Sequence, residues 1–225
     1  MRRMKRRNSQ GQTFIEFLFV LLWAVPFLLI TLALGINLIE GLEVMQLARD
    51  AASMYARQVN FTQPSSQAIL DEIGNGLNLH SASPSTSQAV VIMSELTYMD
   101  ATCSAAIPSG CGCANSNKWV FIQYQVLPAG GNVNIATKSR YGDPSALVDA
   151  ANPPKIDICD AATNAAAVAA NFGDLGITSW STTGASLGYG VPSGLGVYLV
   201  EVTASGYAVP PLVNGPVKLY NYAVF

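Results

Sequence analysis

The sequence predicts an α+β protein, in which a long N-terminal transmembrane and amphipathic helix is followed by a small antiparallel β-sheet outer domain with short helices. Three observations predict this class. The 225 residues are 50% apolar and only 12% charged, against roughly a quarter charged in ordinary soluble domains. Residues 17–39 carry no charge. The later part alternates β-branched, aromatic segments with stretches rich in Ser, Thr, Asn, Gly and Pro, which is typical of strands and turns.

Basic residues cluster at the N-terminus. Five of the twelve Lys and Arg residues precede position 8, whereas residues from Gln12 onward hold seven basic and fourteen acidic side chains, a net charge of −7. Lys and Arg that flank a first apolar segment stay on the cytoplasmic side of a membrane. The sequence therefore predicts a basic leader over residues 1–11 and a C-terminal region outside the cytoplasm.

Phe17 to Ile39 form a charge-free run of twenty-three residues. At about 1.5 Å per residue, a helix of this length crosses a hydrocarbon layer of roughly 30 Å. Two other interpretations stay open. The run could be a buried core helix, or the apolar part of a secretory signal peptide that is cleaved near the small residues Ala33 and Gly35.

The helix is expected to continue past the membrane run, giving a helical region over residues 12–60. Glu40 to Val59 place one apolar stripe at three- and four-residue steps, which indicates an amphipathic helix packed on the outer domain. The residues of this stripe are Met45, Ala48, Ala52, Tyr55 and Val59. Pro26 is expected to kink or locally open the helix.

Residues 61–225 are predicted to form the extracytoplasmic α+β domain. A short helix is expected within Pro64 to Leu79, broken by Gly74 and Gly76, and another over Asp160 to Phe172. Four segments have the β-branched and aromatic composition of strands. They are Gln88 to Met99, Trp119 to Leu127, Val197 to Ala204 and Val217 to Phe225.

A distinctive pattern stands where the leader meets the apolar run. Gly11 follows the basic residues, Gln12 comes next, and Glu16 lies directly against the charge-free segment. A carboxylate at the edge of a spanning helix is costly and must find a partner or be neutralised. Glu16 in the headgroup region, favoured by the helix dipole, is the simpler alternative. Together with the leader, the pattern resembles the processing site of type IV pilins and their relatives.

The resemblance implies a processing step and a set of partners. A prepilin peptidase would cut after Gly11, the new N-terminus at Gln12 would commonly be methylated, and Glu16 would neutralise the N-terminal amine of a neighbouring subunit. The implied partners are other pilin subunits through the N-terminal helix, the prepilin peptidase, inner-membrane assembly machinery, and membrane lipid before assembly. The implied location is the bacterial inner membrane, as a single-pass protein with a cytoplasmic N-terminus, and then the pilus or cell surface.

The order of the apolar run, Gly35, a short acidic patch and the stretch from Leu47 to Ala52 is similar to TadE-like proteins of the tight-adherence pilus. These are minor pilins or pseudopilins that carry a compact outer domain, with roles in adhesion or pilus biogenesis. Pro26 lies later than that branch would suggest. Two alternatives therefore stay open: a pseudopilin of a type II secretion system, and a signal-anchored extracytoplasmic enzyme or binding module.

All four cysteines lie in the predicted outer domain, which suits a disulfide-forming compartment. They are Cys103, Cys111, Cys113 and Cys159. Cys111 and Cys113 are poorly placed to pair with each other, which leaves one of them for Cys103 and the other for Cys159. A zinc site is the competing interpretation, but the spacing lacks paired C-x2-C knuckles.

Enzymatic and nucleic-acid functions have little support, so we expect no catalytic site, cofactor or metal. His80 is the only histidine, and no H-E-x-x-H spacing surrounds it. The scattered carboxylates suit capping and turn roles, and the Gly-rich tract from Gly184 to Gly196 lacks the Lys of a phosphate-binding loop. From Glu40 onward, seven basic residues face thirteen acidic ones, which disfavours phosphate binding.

Overall fold

The computed structural model describes residues 10–99, 110–129, 135, 138–149, 153–170, 172, 179–180, 191–192, 196–207 and 215–225. It has the expected α+β architecture of a long N-terminal helix followed by an antiparallel sheet with short helices. The helices are α1 (Gln10–Ala56), α2 (Pro64–Ile73) and α3 (Ile158–Thr163), with 3₁₀ turns at Asn75–Leu77, Ser145–Leu147 and Ala165–Ala167. The strands are β1 (Ala89–Met99), β2 (Lys118–Leu127), β3 (Val148–Asp149), β4 (Lys155–Ile156), β5 (Ser179–Trp180), β6 (Val191–Pro192), β7 (Gly196–Ser205) and β8 (Lys218–Val224).

The four long strands form one antiparallel sheet in the order β2-β1-β7-β8. In the centre of the sheet, Val91 lies opposite Leu127 of β2 and Val202 of β7. The register between β1 and β2 shifts at Glu95, where a bulge interrupts the pairing. These strands coincide with the four predicted segments to within one residue at each end. The expected sheet is therefore confirmed.

The chain divides into two compact units. The first comprises residues 1–39 and 206–217, and the second comprises residues 40–205 and 218–225. Helix α1 contributes residues to both, because the boundary falls between Ile39 and Glu40 rather than at the end of the helix.

In the second unit, the sheet buries an apolar layer on each face. One layer joins the C-terminal part of α1 to residues of the α2 region and to alternate residues of β1 and β7. The other layer joins the opposite side chains of the sheet to α3 and to the segments around Tyr141 and Phe172. Both faces of the sheet are thus covered, which is why most of β1 and β7 is buried.

The stripe by which α1 packs on the sheet is displaced from the predicted one. Its buried residues are Val44, Leu47, Ala48, Ala51, Ala52 and Tyr55. Met45 is only partly buried, and Val59 lies beyond the helix, which ends at Ala56. Ala48, Ala52 and Tyr55 of the predicted stripe are therefore confirmed as buried. Met45 lies at the edge of the seam, and Val59 packs against the same core from beyond the helix, after the backbone turns at Gln58 (φ 61°).

The helix predicted over Asp160 to Phe172 is also shorter than expected. Helix α3 spans only Ile158–Thr163 and begins after Asp157, whose carboxylate accepts a hydrogen bond from the Cys159 backbone N–H at 2.8 Å. Asn164 ends the helix, because its backbone is extended and its side chain caps the following 3₁₀ turn. Val168 then forms a bridge to Val120 of β2 instead of continuing a helix.

Candidate functional site

The most unusual surface of the described residues is the N-terminal part of α1. Its large apolar side chains are exposed, and Trp23 has 77% of its surface accessible. Seventeen exposed members lie between residues 14 and 39: Phe14, Ile15, Phe17, Leu18, Phe19, Val20, Leu21, Leu22, Trp23, Val25, Phe27, Leu28, Leu29, Leu32, Leu34, Leu38 and Ile39. We refer to residues 14–39 as the exposed apolar segment.

Such a segment is not stable in water. Fully covering a large apolar side chain stabilises by about 1.5–3 kcal/mol, so seventeen of them represent at most about 25–50 kcal/mol, several times the stability of a typical domain. The most apolar stretch of 18 residues in the helix has a mean hydropathy of 2.7, and none of its residues is buried. The segment is long and apolar enough to cross a membrane once, which fits a single-pass membrane protein.

Glu16 is the only charged residue between Gln12 and Glu40. It lies in the first turns of α1 and is exposed. Gly11 and Gln12 belong to the same helix, which begins at Gln10. Glu16 lies four positions after Gln12, about 6 Å further along the helix axis. The proposed cleavage and assembly residues are therefore one helical turn apart.

The apolar run contains only two polar side chains, and both are hydrogen-bonded. The Thr31 hydroxyl donates to the Leu28 carbonyl at 2.8 Å, one turn earlier in the same helix. The Asn37 side chain makes two bonds to the backbone of Tyr207: its Nδ2 donates to the Tyr207 carbonyl at 3.2 Å, and its Oδ1 accepts from the Tyr207 N–H at 2.9 Å. This pairing satisfies groups that would be costly to leave unpaired beside lipid.

The structure brings two of the predicted cysteines together. Cys111 and Cys159 form a disulfide with their Cα atoms 5.4 Å apart, which links the segment before β2 to α3. Cys113 is also disulfide-bonded, and Cys103 lies outside the described residues. The Cys111–Cys159 bond uses two of the four sulfurs that a zinc site built from these cysteines would need.

A buried carboxylate that the sequence analysis missed lies on β7. Glu201 is 1% exposed, and its Oε1 accepts hydrogen bonds from the Arg140 backbone N–H and the Tyr220 hydroxyl, both at 2.9 Å. Its Oε2 has no hydrogen-bond partner among the described residues. Burial raises the pKa of Glu201, and the hydrogen bonds only partly oppose this rise. The single acidic residue within the apolar strand sequence VYLVEVTA was the signal that could have revealed it.

A polar cavity of about 410 Å³ opens in the second unit at the bulge of β1. Nine residues line it: Tyr55, Gln58, Val59, Asn60, Glu95, Gln123, Pro153, Lys155 and Tyr198. Burial raises the pKa of Glu95, while the positive charge of Lys155 acts in the opposite direction. Gly196 faces the Glu95 carboxylate so closely that a Cβ there would collide with it. The cavity offers carboxyl, amine, amide and phenol groups to a small polar molecule.

The other residues considered in the sequence analysis make contacts that are typical of turns and of the protein core. His80 is exposed in a turn, and its backbone N–H donates to Ser87. Asp143 accepts from Ser145 and pairs with Lys138 at 2.6 Å, and these contacts lower its pKa. Tyr141 is buried in the core. Most of the Gly-rich tract from Gly184 to Gly196 lies outside the described residues.

Comparison of the chain with known protein families, curated proteins and solved structures found no match.

Proposed function

We propose that this protein is a structural, pilin-like subunit, a minor pilin or pseudopilin of the TadE-like or type IV kind. In this proposal a prepilin peptidase removes residues 1–11. The apolar helix holds the protein in the bacterial inner membrane, with its N-terminus in the cytoplasm and its sheet domain outside. The subunit is then incorporated into a pilus, or initiates one, with a role in adhesion or pilus biogenesis.

One observation carries the proposal, namely the division of α1 into two parts of opposite character. The apolar segment at residues 14–39 is exposed, whereas Val44 to Tyr55 form one wall of the sheet domain's core. A helix that only tethers a domain has no need to be part of its core. A helix that first lies in a membrane and then packs in a bundle of identical helices needs both a free apolar part and a part that belongs to the core of the domain it carries.

Glu16 supplies the chemistry of assembly in this proposal. Cleavage after Gly11 would create an α-amine at Gln12, which carries a positive charge near neutral pH. Burying this amine and the Glu16 carboxylate separately in an apolar helix bundle would cost far more than burying them as a pair. Charge pairing between the amine of one subunit and Glu16 of its neighbour would therefore fix the axial register between subunits.

The helix surface around Pro26 supports close packing of this kind. An open, apolar groove runs beside the proline, and seven side chains line it: Phe19, Val20, Trp23, Ala24, Pro26, Phe27 and Ile30. Pro26 also leaves the Leu22 carbonyl without its usual helical donor. A neighbouring helix that enters the groove would cover apolar surface that lipid covers before assembly.

Two alternatives share part of this reasoning. A type II secretion pseudopilin would use the same cleavage and the same Glu16 pairing in a short filament. A signal-anchored extracytoplasmic enzyme or binding module is favoured by the polar cavity beside Glu95, whose mixed acidic, basic and phenolic lining suits a small polar ligand. In that case the exposed apolar segment would serve only as a tether.

Substitution of Glu16 tests the proposal. We expect Glu16→Ala to insert into membranes as the native protein does, while its amount in sheared filaments falls by about tenfold or more, because an unpaired buried charge typically costs several kcal/mol. Asp50→Ala is the matched control, since Asp50 is an exposed carboxylate elsewhere on α1. Unchanged incorporation of Glu16→Ala would contradict the charge pairing, and absence of the native protein from any filament would contradict the structural role.

A further inference from the structure

The contact between Asn37 and Tyr207 suggests a second membrane-binding element. Both residues belong to the first unit, although 170 positions separate them in the sequence. The Asn37 amide bonds both backbone groups of Tyr207, at 3.2 and 2.9 Å. We refer to this pair as the Asn37–Tyr207 clasp. It joins the apolar helix to the chain that leaves β7.

The depth of Asn37 in a bilayer follows from helix geometry. The charge-free run is centred on Leu28, nine residues before Asn37, which corresponds to about 14 Å along a helix. Half the thickness of the hydrocarbon layer is about 15 Å. With the run centred in a membrane, the clasp lies where hydrocarbon meets headgroups. Tyr is enriched at this boundary, because its ring is apolar and its hydroxyl is polar.

The surroundings of Tyr207 fit that position. Its side chain is 58% exposed, and the twelve residues from Gly206 to Val217 contain no charged side chain. The base of this connection is closed by a hydrogen bond from the Gly206 N–H to the Val217 carbonyl, at 2.7 Å. The uncharged connection is therefore tied at both Gly206 and Tyr207.

We propose that the Asn37–Tyr207 clasp holds Tyr207 at the outer membrane boundary, with its ring in the lipid headgroup region. This inference rests on the proposed membrane position of α1. It assigns Asn37 a positioning role, because its amide fixes the depth of Tyr207 through both backbone groups of that residue. The partner is a phospholipid bilayer.

The test uses the full-length protein in phosphatidylcholine vesicles that contain a phospholipid with a diazirine near its headgroup. After illumination, mass spectrometry locates the lipid adducts. We expect adducts within residues 14–39 and also at Tyr207. In Asn37→Leu, the helix adducts should persist, because leucine favours insertion. Adducts at Tyr207 should fall by roughly five- to tenfold, which is the effect of losing two membrane hydrogen bonds of average strength.

Two further variants separate the possible causes. Thr31→Val is the matched control, because it also removes a polar group from the apolar run. The hydrogen-bond partner of Thr31 is Leu28 in the same helix, so the lipid adducts of this variant, including those at Tyr207, should be unchanged. Tyr207→Ala keeps both backbone partners of Asn37 and should lose only the ring adducts. If lipid adducts form in residues 14–39 but none form at Tyr207, this inference alone is overturned. The same conclusion holds if Tyr207 is covered by a neighbouring subunit instead of lipid. An equal fall in Thr31→Val would also overturn it, and absence of helix adducts would overturn the membrane position itself.

Discussion

The division of α1 into a membrane part and a core part predicts that leucine-to-alanine substitution destabilises the domain at one position of the helix and leaves its stability almost unchanged at another. Leu47 is 1% exposed and packs against Gly74, whereas Leu28 is 60% exposed. Replacement by alanine removes three carbon atoms. At about 0.8 kcal/mol for each buried carbon, Leu47→Ala loses about 2.4 kcal/mol from transfer alone. The remaining cavity raises the usual total to about 2.7–5 kcal/mol.

The site around Leu47 collapses little, because its helix neighbours Ala48 and Ala51 are too small to fill the space. A loss of about 3 kcal/mol lowers the midpoint of thermal unfolding by roughly 6–12 °C in a chain of this size. Leu28→Ala should change the domain's free energy of unfolding by less than about 0.5 kcal/mol.

The assay is thermal unfolding of the full-length protein in detergent micelles, followed by near-ultraviolet circular dichroism. Trp119 reports on the domain, since it is buried between Tyr98 and Phe172. Equal destabilisation by the two substitutions would refute the division of the helix, because the apolar segment would then belong to the folded core. No effect of Leu47→Ala would refute the packing of α1 on the sheet.

Two further predictions concern the outer domain. The Cys111–Cys159 disulfide closes a loop of 48 residues, for which the chain-entropy relation gives about 4 kcal/mol. The double variant Cys111→Ser, Cys159→Ser should therefore unfold at a midpoint roughly 8–16 °C lower in the same assay, and an unchanged midpoint would contradict a stabilising disulfide. Glu201 has a raised pKa in the folded state, so its contribution to stability is greatest below the unfolded pKa and falls as the pH rises towards the folded pKa. Glu201→Gln, which cannot ionise, should gain stability relative to the native protein in urea unfolding as the pH rises above the usual Glu pKa of about 4.3; a difference in stability that does not change with pH would contradict the raised pKa of Glu201.

The sheet could be predicted from the sequence because its strands are locally consistent. Segments such as Val120 to Val126 are rich in β-branched and aromatic residues, and turn residues separate them, so local preference and tertiary pairing agree. The end of the second helix at Gly74 could also be predicted from the sequence, since glycine commonly ends helices. In contrast, the end of α3 at Asn164 depends on a side-chain cap and on the bridge from Val168 to β2, which helical spacing of alanines does not reveal.

The polar groups of the candidate sites were harder to predict. Asn37 and Glu201 each stand alone in an apolar segment, and the sequence does not tell which distant group satisfies them. Asn37 bonds the backbone of Tyr207, 170 residues away, and Glu201 bonds Arg140 and Tyr220. Such partners depend on topology rather than on local pattern. A lone polar residue in an apolar run is nevertheless a usable signal, because burial without a partner is costly.

The mature N-terminus tests the central claim most directly. Intact-mass measurement and N-terminal sequencing of the protein from membranes or sheared filaments should give a chain that begins at Gln12, lacks residues 1–11 and carries a methyl group on its amine. A chain that begins at Met1 would contradict the proposal and favour a simple membrane anchor. A chain that begins at Ile36 would contradict it as well, since the exposed apolar segment would then be a cleaved secretion signal.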